Sequence, residues 1–174
     1  MNLDFIEGPL DGDAWEKLIT SCYRMRYQEE HFTEIPATHG GDAGIEGFTQ
    51  NGVVYQCYCP EREYSDTELY EHLRDKMTAD IDKLIDLKYA KRLADLGVPQ
   101  VKEWHFVIPE YRDHRILEHA ERKKQLVRSK RNEDIQNYEY IHPDFIIVIK
   151  TAADFKVEIS KLLRTTLTDV KLNF

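Results

Sequence analysis

The stretch Gly44-Ile45-Glu46-Gly47-Phe48, Gln50-Asn51-Gly52, Val53-Val54-Tyr55-Gln56-Cys57-Tyr58-Cys59, Pro60 leaves the chain little freedom. β-Branched and aromatic residues fill its second half, Asn51-Gly52 supplies a turn and Pro60 stops the run, so a β-hairpin over residues 44–59 is predicted. Its register decides what meets across it. A two-residue turn at Asn51-Gly52 sets Glu46 opposite Cys57, whereas a three-residue loop with Gly52 left-handed sets Glu46 opposite Gln56. The second register is favoured because it groups two polar side chains instead of burying one among Val53, Tyr55 and Cys57. Side chains alternate along a strand, so Glu46, Gln56 and Tyr58 then share one polar patch.

Helical signals surround the hairpin. Asp13-Ala14-Trp15-Glu16 combines a cap acceptor with a glutamate three residues on, and Trp15, Leu18, Ile19, Cys22 and Tyr23 follow at helical spacing, predicting a helix over about 13–27. Ser65-Asp66-Thr67-Glu68 is a capping box for a helix running to about Leu93, closed by Leu96-Gly97. A strand over 101–109, a charged helix over about 112–130, a buried strand over 145–149 and a last helix capped by Asp154 complete the order. Helices alternating with strands predict an α/β fold, a mixed β-sheet flanked by helices on both faces. Nothing marks a linker or a repeat, so one domain is expected over 1–174, either whole or the N-terminal part of a longer protein.

Composition closes several other routes. Ten Tyr, seven Phe and two Trp are too much aromatic surface for a disordered polyampholyte. The longest apolar run, Phe145 to Ile149, is far below the roughly 20 residues that cross a bilayer, and the acidic start Met1-Asn2-Leu3-Asp4 lacks a signal peptide's basic flank. A cytoplasmic protein without a membrane partner is expected. Three cysteines, two of them separated by one residue, do not form a disulfide framework, and no CxxC or HExxH spacing suggests zinc. A net charge of −8 opposes indiscriminate coating of nucleic acid. The charge is uneven, however: residues 111–132 carry eight basic against three acidic side chains, leaving −13 for the remainder. Within them, Arg122, Lys123, Lys124 and Arg128 make either a solvated helix face or a surface that tracks a nucleic-acid backbone.

Glu46 and Gln56, with Asp42 in the glycine-rich approach, offer oxygen donors on adjacent strands. Mg²⁺ or Mn²⁺ suits such a set, because a hard ion binds a few carboxylate or carbonyl oxygens and keeps waters for a substrate phosphate. Here the segment resembles the Mrr-type branch of the restriction-endonuclease-like PD-(D/E)xK nucleases, in which an acid precedes a glycine and the next strand carries Gln-x-Lys. Trp15-Glu16 is similar to that branch's helix-borne Phe-Glu, and the order of elements matches over residues 13–110. More loosely, Tyr55 to Glu61, Lys76 and Trp104 to Val107 look like nuclease-like modules of bacterial antiphage systems.

The resemblance implies a metal-dependent endonuclease acting on DNA in defence against foreign DNA, with a partner defence protein or self-association open. Glu46 would be the first metal acid, Gln56 the second metal-proximal residue, Glu16 the helical acid and Asp42 a loop-shaping or ligating aspartate. Tyr58 departs from the pattern, standing where a catalytic lysine belongs. Lys76, on the apolar stripe with Leu69, Leu73 and Met77, either replaces that lysine by reaching Glu46 or snorkels to solvent. The rival expectation is a catalytically silent module of the same fold that binds a partner protein or nucleic acid.

Overall fold

The computed structural model describes residues 11–36 and 44–172, with side chains as far as 164. The order is α1 (Gly12–Arg26), β1 (Thr33–Glu34), β2 (Gly47–Phe48), β3 (Val53–Cys57), α2 (Asp66–Leu84), α3 (Leu87–Asp95), β4 (Val101–Val107), α4 (Arg115–Glu133), β5 (Ile141–Lys150), a 3₁₀ turn (Ala152–Phe155) and α5 (Lys156–Leu172). The five strands lie in sequence order in one sheet. β1, β2 and β3 pair antiparallel, and β3, β4 and β5 pair parallel. This is the mixed α/β sheet expected, with helices on both faces.

Alternation along the central strands splits the core in two. Val54, Trp104 and Phe106 join Leu73, Met77 and Ile81 of α2 and Ile116, Ala120 and Val127 of α4 in one cluster. Val53, Tyr55, Cys57 and Val107 join Trp15, Ile19 and Tyr23 of α1 and Phe155 and Ile159 on the opposite face. Tyr23 stacks on Tyr55 at 4.1 Å, and the Trp15 indole donates to the Val107 carbonyl at 3.0 Å, so α1 is fixed to the sheet by both shape and hydrogen bonding. Arg26 joins α1 to α5 through both carboxylate oxygens of Glu158, at 2.8 and 3.1 Å.

The hairpin takes the three-residue register. Gly47 faces Tyr55 and Phe48 faces Val54, Thr49 N donates to the Val53 carbonyl at 2.9 Å, and Gly52 is left-handed at φ +90°. The loop is also docked: the Gly52 carbonyl accepts from Lys102 N and Glu103 N at 2.8 and 3.1 Å, binding the turn to the start of β4.

Several boundaries differ from the sequence reading. α1 is capped by Asp11, whose carboxylate accepts from Ala14 N at 2.8 Å, so Asp13 is not the cap and Glu16 is not its capping-box partner. The Ser65/Glu68 capping box is present, but that helix breaks at Ile85 because Asp86 caps a separate α3 through Lys88 N. β1 is two exposed residues and carries no apolar period. β5 begins at Ile141 and tolerates Pro143 because it is an edge strand. Asp154 belongs to the 3₁₀ turn, where its carboxylate accepts from Thr151 N, and α5 starts after it. Among the described residues no helix is long and apolar enough to cross a membrane.

Gly52 is irreplaceable on two counts. Its backbone is left-handed, and an added β-carbon would stand 2.6 Å from the Gln100 carbonyl. Gly52→Ala is expected to lower stability in urea unfolding by about 2–4 kcal/mol. Gly12→Ala, where a β-carbon meets nothing within 4 Å, is expected to stay within roughly 0.5 kcal/mol of the parent.

Candidate active site

The approach to β2 is clamped before it reaches the polar pair. Gly44 is left-handed at φ +78°, so close to α2 that a β-carbon would lie 2.7 Å from the Asp80 carbonyl, and its own carbonyl accepts from the Trp104 indole at 3.2 Å. Ile45 is then wholly buried, and Glu46 enters the sheet: its N–H donates to the Tyr55 carbonyl at 2.7 Å and its carbonyl accepts from Ile35 N at 2.9 Å. Regular pairing ends with Gly47 opposite Tyr55, and Glu46, just outside β2, sends its N–H to that same Tyr55 carbonyl, so it approaches Gln56 through its side chain.

The two side chains meet. The Glu46 carboxylate accepts from the backbone N–H of Cys57 at 2.8 Å through one oxygen and from the Gln56 amide at 3.4 Å through the other. Regular β2 pairing ends at Gly47, so the carboxylate satisfies a strand N–H that the ladder leaves over. Both residues are buried, at 8% and 6% exposure. The Gln56 side-chain amide oxygen, Oε1, is buried with no hydrogen-bond partner among the described residues, an arrangement that costs about 1–3 kcal/mol unless a water or an ion completes it.

Electrostatics follow the geometry. Burial pushes the Cys57 thiol well above its ordinary pKa, and the carboxylates of Glu46 and Glu16 add to the effect. Glu16, on the second turn of α1, therefore acts on the same strand end as Glu46. Cys57 is accordingly a neutral core group. Asp42 lies outside the described residues.

Tyr58, the third member of the predicted patch, and Lys76, the proposed lysine substitute, have partners of their own. Tyr58 continues from β3 with its N–H on the Val107 carbonyl at 3.0 Å, and its ring packs against the α2-side core. Burial raises its pKa, with Tyr64 and Glu61 contributing. Lys76 donates to Asp80 on its own helix at 3.1 Å. It is thus neither simply snorkelled nor held against Glu46. Among the described residues no group of three or more His, Cys, Asp or Glu side chains is arranged to hold a metal ion.

The basic helix is divided between scaffold and surface. Arg128 donates to the Phe145 carbonyl at 2.8 Å, and Lys124 pairs with Glu121 at 2.7 Å. Arg122 is exposed and Lys123 partly so. These two, with Arg74 of α2, surround His119, which bonds Thr78 at 3.0 Å. Sequence spacing contained that cluster, since 119, 122 and 123 share a helix face, but Arg74 joins only through packing. A further feature had no sequence signal: a cleft of about 530 Å³ at the carboxyl ends of β3 and β4, lined by Cys59, Glu61, Tyr64, Pro109, Glu110 and Arg112. Ligands of open parallel sheets favour such a position.

No family model, curated protein or solved structure gives a significant match to this chain.

His119 supplies a pH signature. Burial, then Lys123, Arg122 and Arg74, lower its pKa from 6.5 to about 4. The unfolded chain therefore takes up a proton before the folded one, and acid favours unfolding. Its contribution is present in full above pH 6.5 and is lost as pH falls toward 4. In thermal melts across that window, His119→Gln is expected to flatten the decline seen in the parent.

Proposed function

We propose that this domain is a metal-dependent nuclease that hydrolyses DNA phosphodiester bonds, with Glu46 and Gln56 at its centre. The observation that carries the reading is the orphaned, buried side-chain oxygen of Gln56, whose amide nitrogen donates to the Glu46 carboxylate. A hard divalent ion takes such a carboxylate and amide pair as ligands, and Mg²⁺ or Mn²⁺ fits the donor chemistry. Bound there, the ion would supply Lewis acidity toward the phosphodiester and a lowered pKa for the attacking water.

The chain's own part is orientation and charge. Cys57 N–H and the Gln56 amide hold the Glu46 carboxylate in one position, which leaves the Gln56 Oε1 as the unengaged oxygen of the pair. Glu16 adds negative potential at the same strand end, and Asp42 is the remaining candidate ligand. Lys76, as the Lys76–Asp80 pair, would serve the transition state at longer range. Arg122 and Lys123 would hold backbone phosphates, steering DNA onto one face of an otherwise acidic body, with Lys124 and Arg128 reinforcing the potential. A cytoplasmic setting and a partner protein in defence against foreign DNA belong to the same reading.

The second reading is a catalytically silent module of this fold. It is favoured by Tyr58 standing with Tyr64 and Glu61, and by Lys76 being held at 3.1 Å by Asp80. Two measurements separate the readings. Plasmid nicking with Mg²⁺ or Mn²⁺ is expected in the parent and is expected to fall by more than about tenfold in Glu46→Gln, which keeps the acceptor to Cys57 N–H. Mn²⁺ at ten times its Kd is expected to raise the parent's melting temperature by roughly 3–5 °C but not that of Glu46→Gln. Cleavage unchanged in both Glu46→Gln and Lys76→Ala sinks the nuclease reading, and a parent indifferent to both metal and DNA removes the metal site with it.

A further inference from the structure

β5 is the longest strand of the sheet and closes it on one side. Natural edge strands are kept short, interrupted or charged, because a row of unpaired backbone groups recruits another strand. This one has Pro143 and Asp144 near its start and then the uncharged run Ile146-Ile147-Val148-Ile149, which ends at Lys150. All four of those apolar residues are partly exposed.

The backbone shows which groups face out. The Lys150 carbonyl accepts from Ile108 N at 3.0 Å, so beyond the irregularity between Ile141 and Ile146 the even-numbered residues address β4. The odd-numbered ones, Phe145, Ile147 and Ile149, address the open side. Consistently, Arg128 reaches the Phe145 carbonyl from α4. Ile147 and Ile149 pack their side chains on the α2–α4 core, whereas Ile146 and Val148 point to the other face and belong to neither core cluster.

We propose that β5 pairs antiparallel with β5 of a second copy about a two-fold axis at Ile147. The occupant follows from the strand's self-complementarity. Centred there, Ile147 meets its own mate, Phe145 meets Ile149, and Ile146 meets Val148 on the face that this copy leaves partly uncovered. The same register sets Asp144 opposite Lys150 twice over, and neither forms an ion pair among the described residues. Shifting the centre by one residue separates those charges. An isologous contact of this kind closes after two copies and does not propagate into a fibre. The axis runs through the sheet, so both copies of α4 come to lie on one face and their Arg122 and Lys123 side chains form one basic surface. The pairing stands independently of whether the hairpin site cuts DNA.

Sedimentation of the full chain from about 1 to about 300 µM tests this. The mass is expected to rise from 20.6 kDa to twice that value. Asp144→Lys and Lys150→Asp are each expected to weaken the dimer about tenfold by setting like charges opposite one another at two places. The double variant is expected to restore it, because the pair is then merely reversed. Asp144 is exposed, so its replacement leaves the fold intact, as a melt will check. A chain that stays monomeric at the highest concentration overturns the proposal. A dimer indifferent to the single charge changes, or one the double variant fails to restore, overturns it equally.

Discussion

A backbone at φ +90° beside a carbonyl that would lie 2.6 Å from any β-carbon admits glycine alone, and position 52 combines both demands. What hangs on it is the pairing of everything upstream. With Gly52 left-handed, Thr49 closes on Val53 and the hairpin gains one residue over a tight two-residue turn. A strand turns over all its side chains when its register slips by one. The extra residue is therefore what brings Glu46 to Gln56 and sends Tyr55 and Cys57 to the α1 face. Because the Gly52 carbonyl also receives two amides from β4, the same residue aligns the antiparallel hairpin with the parallel half of the sheet.

The hairpin register is legible in the sequence, since the turn residues and the cost of burying an unmatched polar side chain suffice to select it. The sheet with helices on both faces was legible for a similar reason: apolar period separates strands from helices wherever the segments are long. The reading faltered where a local signal was shared by two candidates. Asp11 and Asp13 both offer a carboxylate ahead of Trp15, and the structure gives the cap to Asp11, whose carboxylate accepts from Ala14 N. Likewise the apolar stripe of α2 runs on into α3 without a gap, and the break is made by Asp86, whose carboxylate competes for Lys88 N. β1 could not be found at all, being two exposed residues recruited by the edge of β2.

The site was legible in part, and the division has a physical basis. Glu46 and Gln56 belong to one hairpin, where contact is a matter of counting residues. Tyr58 also lies on β3's continuation, and alternation alone put it with Gln56. Pairing to β2 has ended by then, however, and the segment from Tyr58 onward follows β4 instead, through the Val107 carbonyl. Its ring packs on the α2-side core, a surface that no two-strand argument includes. The cleft at the ends of β3 and β4 was invisible for the same reason, because its walls come from two loops that meet only once the parallel pairing exists.

Lys76 shows where counting along a helix stops being enough. The wheel placed it on the apolar stripe, where it is in fact only half-buried, and an ammonium partly removed from water gains from a carboxylate. Two were in reach on paper: Glu46 across the hairpin and Asp80 one turn ahead. An intrahelical pair with the cation on the N-terminal side is the weaker orientation, so helix energetics alone do not select Asp80. Burial does. The Asp80 side chain is 1% exposed against 32% for Lys76, and a carboxylate so far removed from water has the greater claim on the nearest cation. Glu46 is relieved of that need by the Cys57 N–H and the Gln56 amide. The lysine is therefore assigned by which acid is worse solvated, a quantity that exists only after the chain has folded.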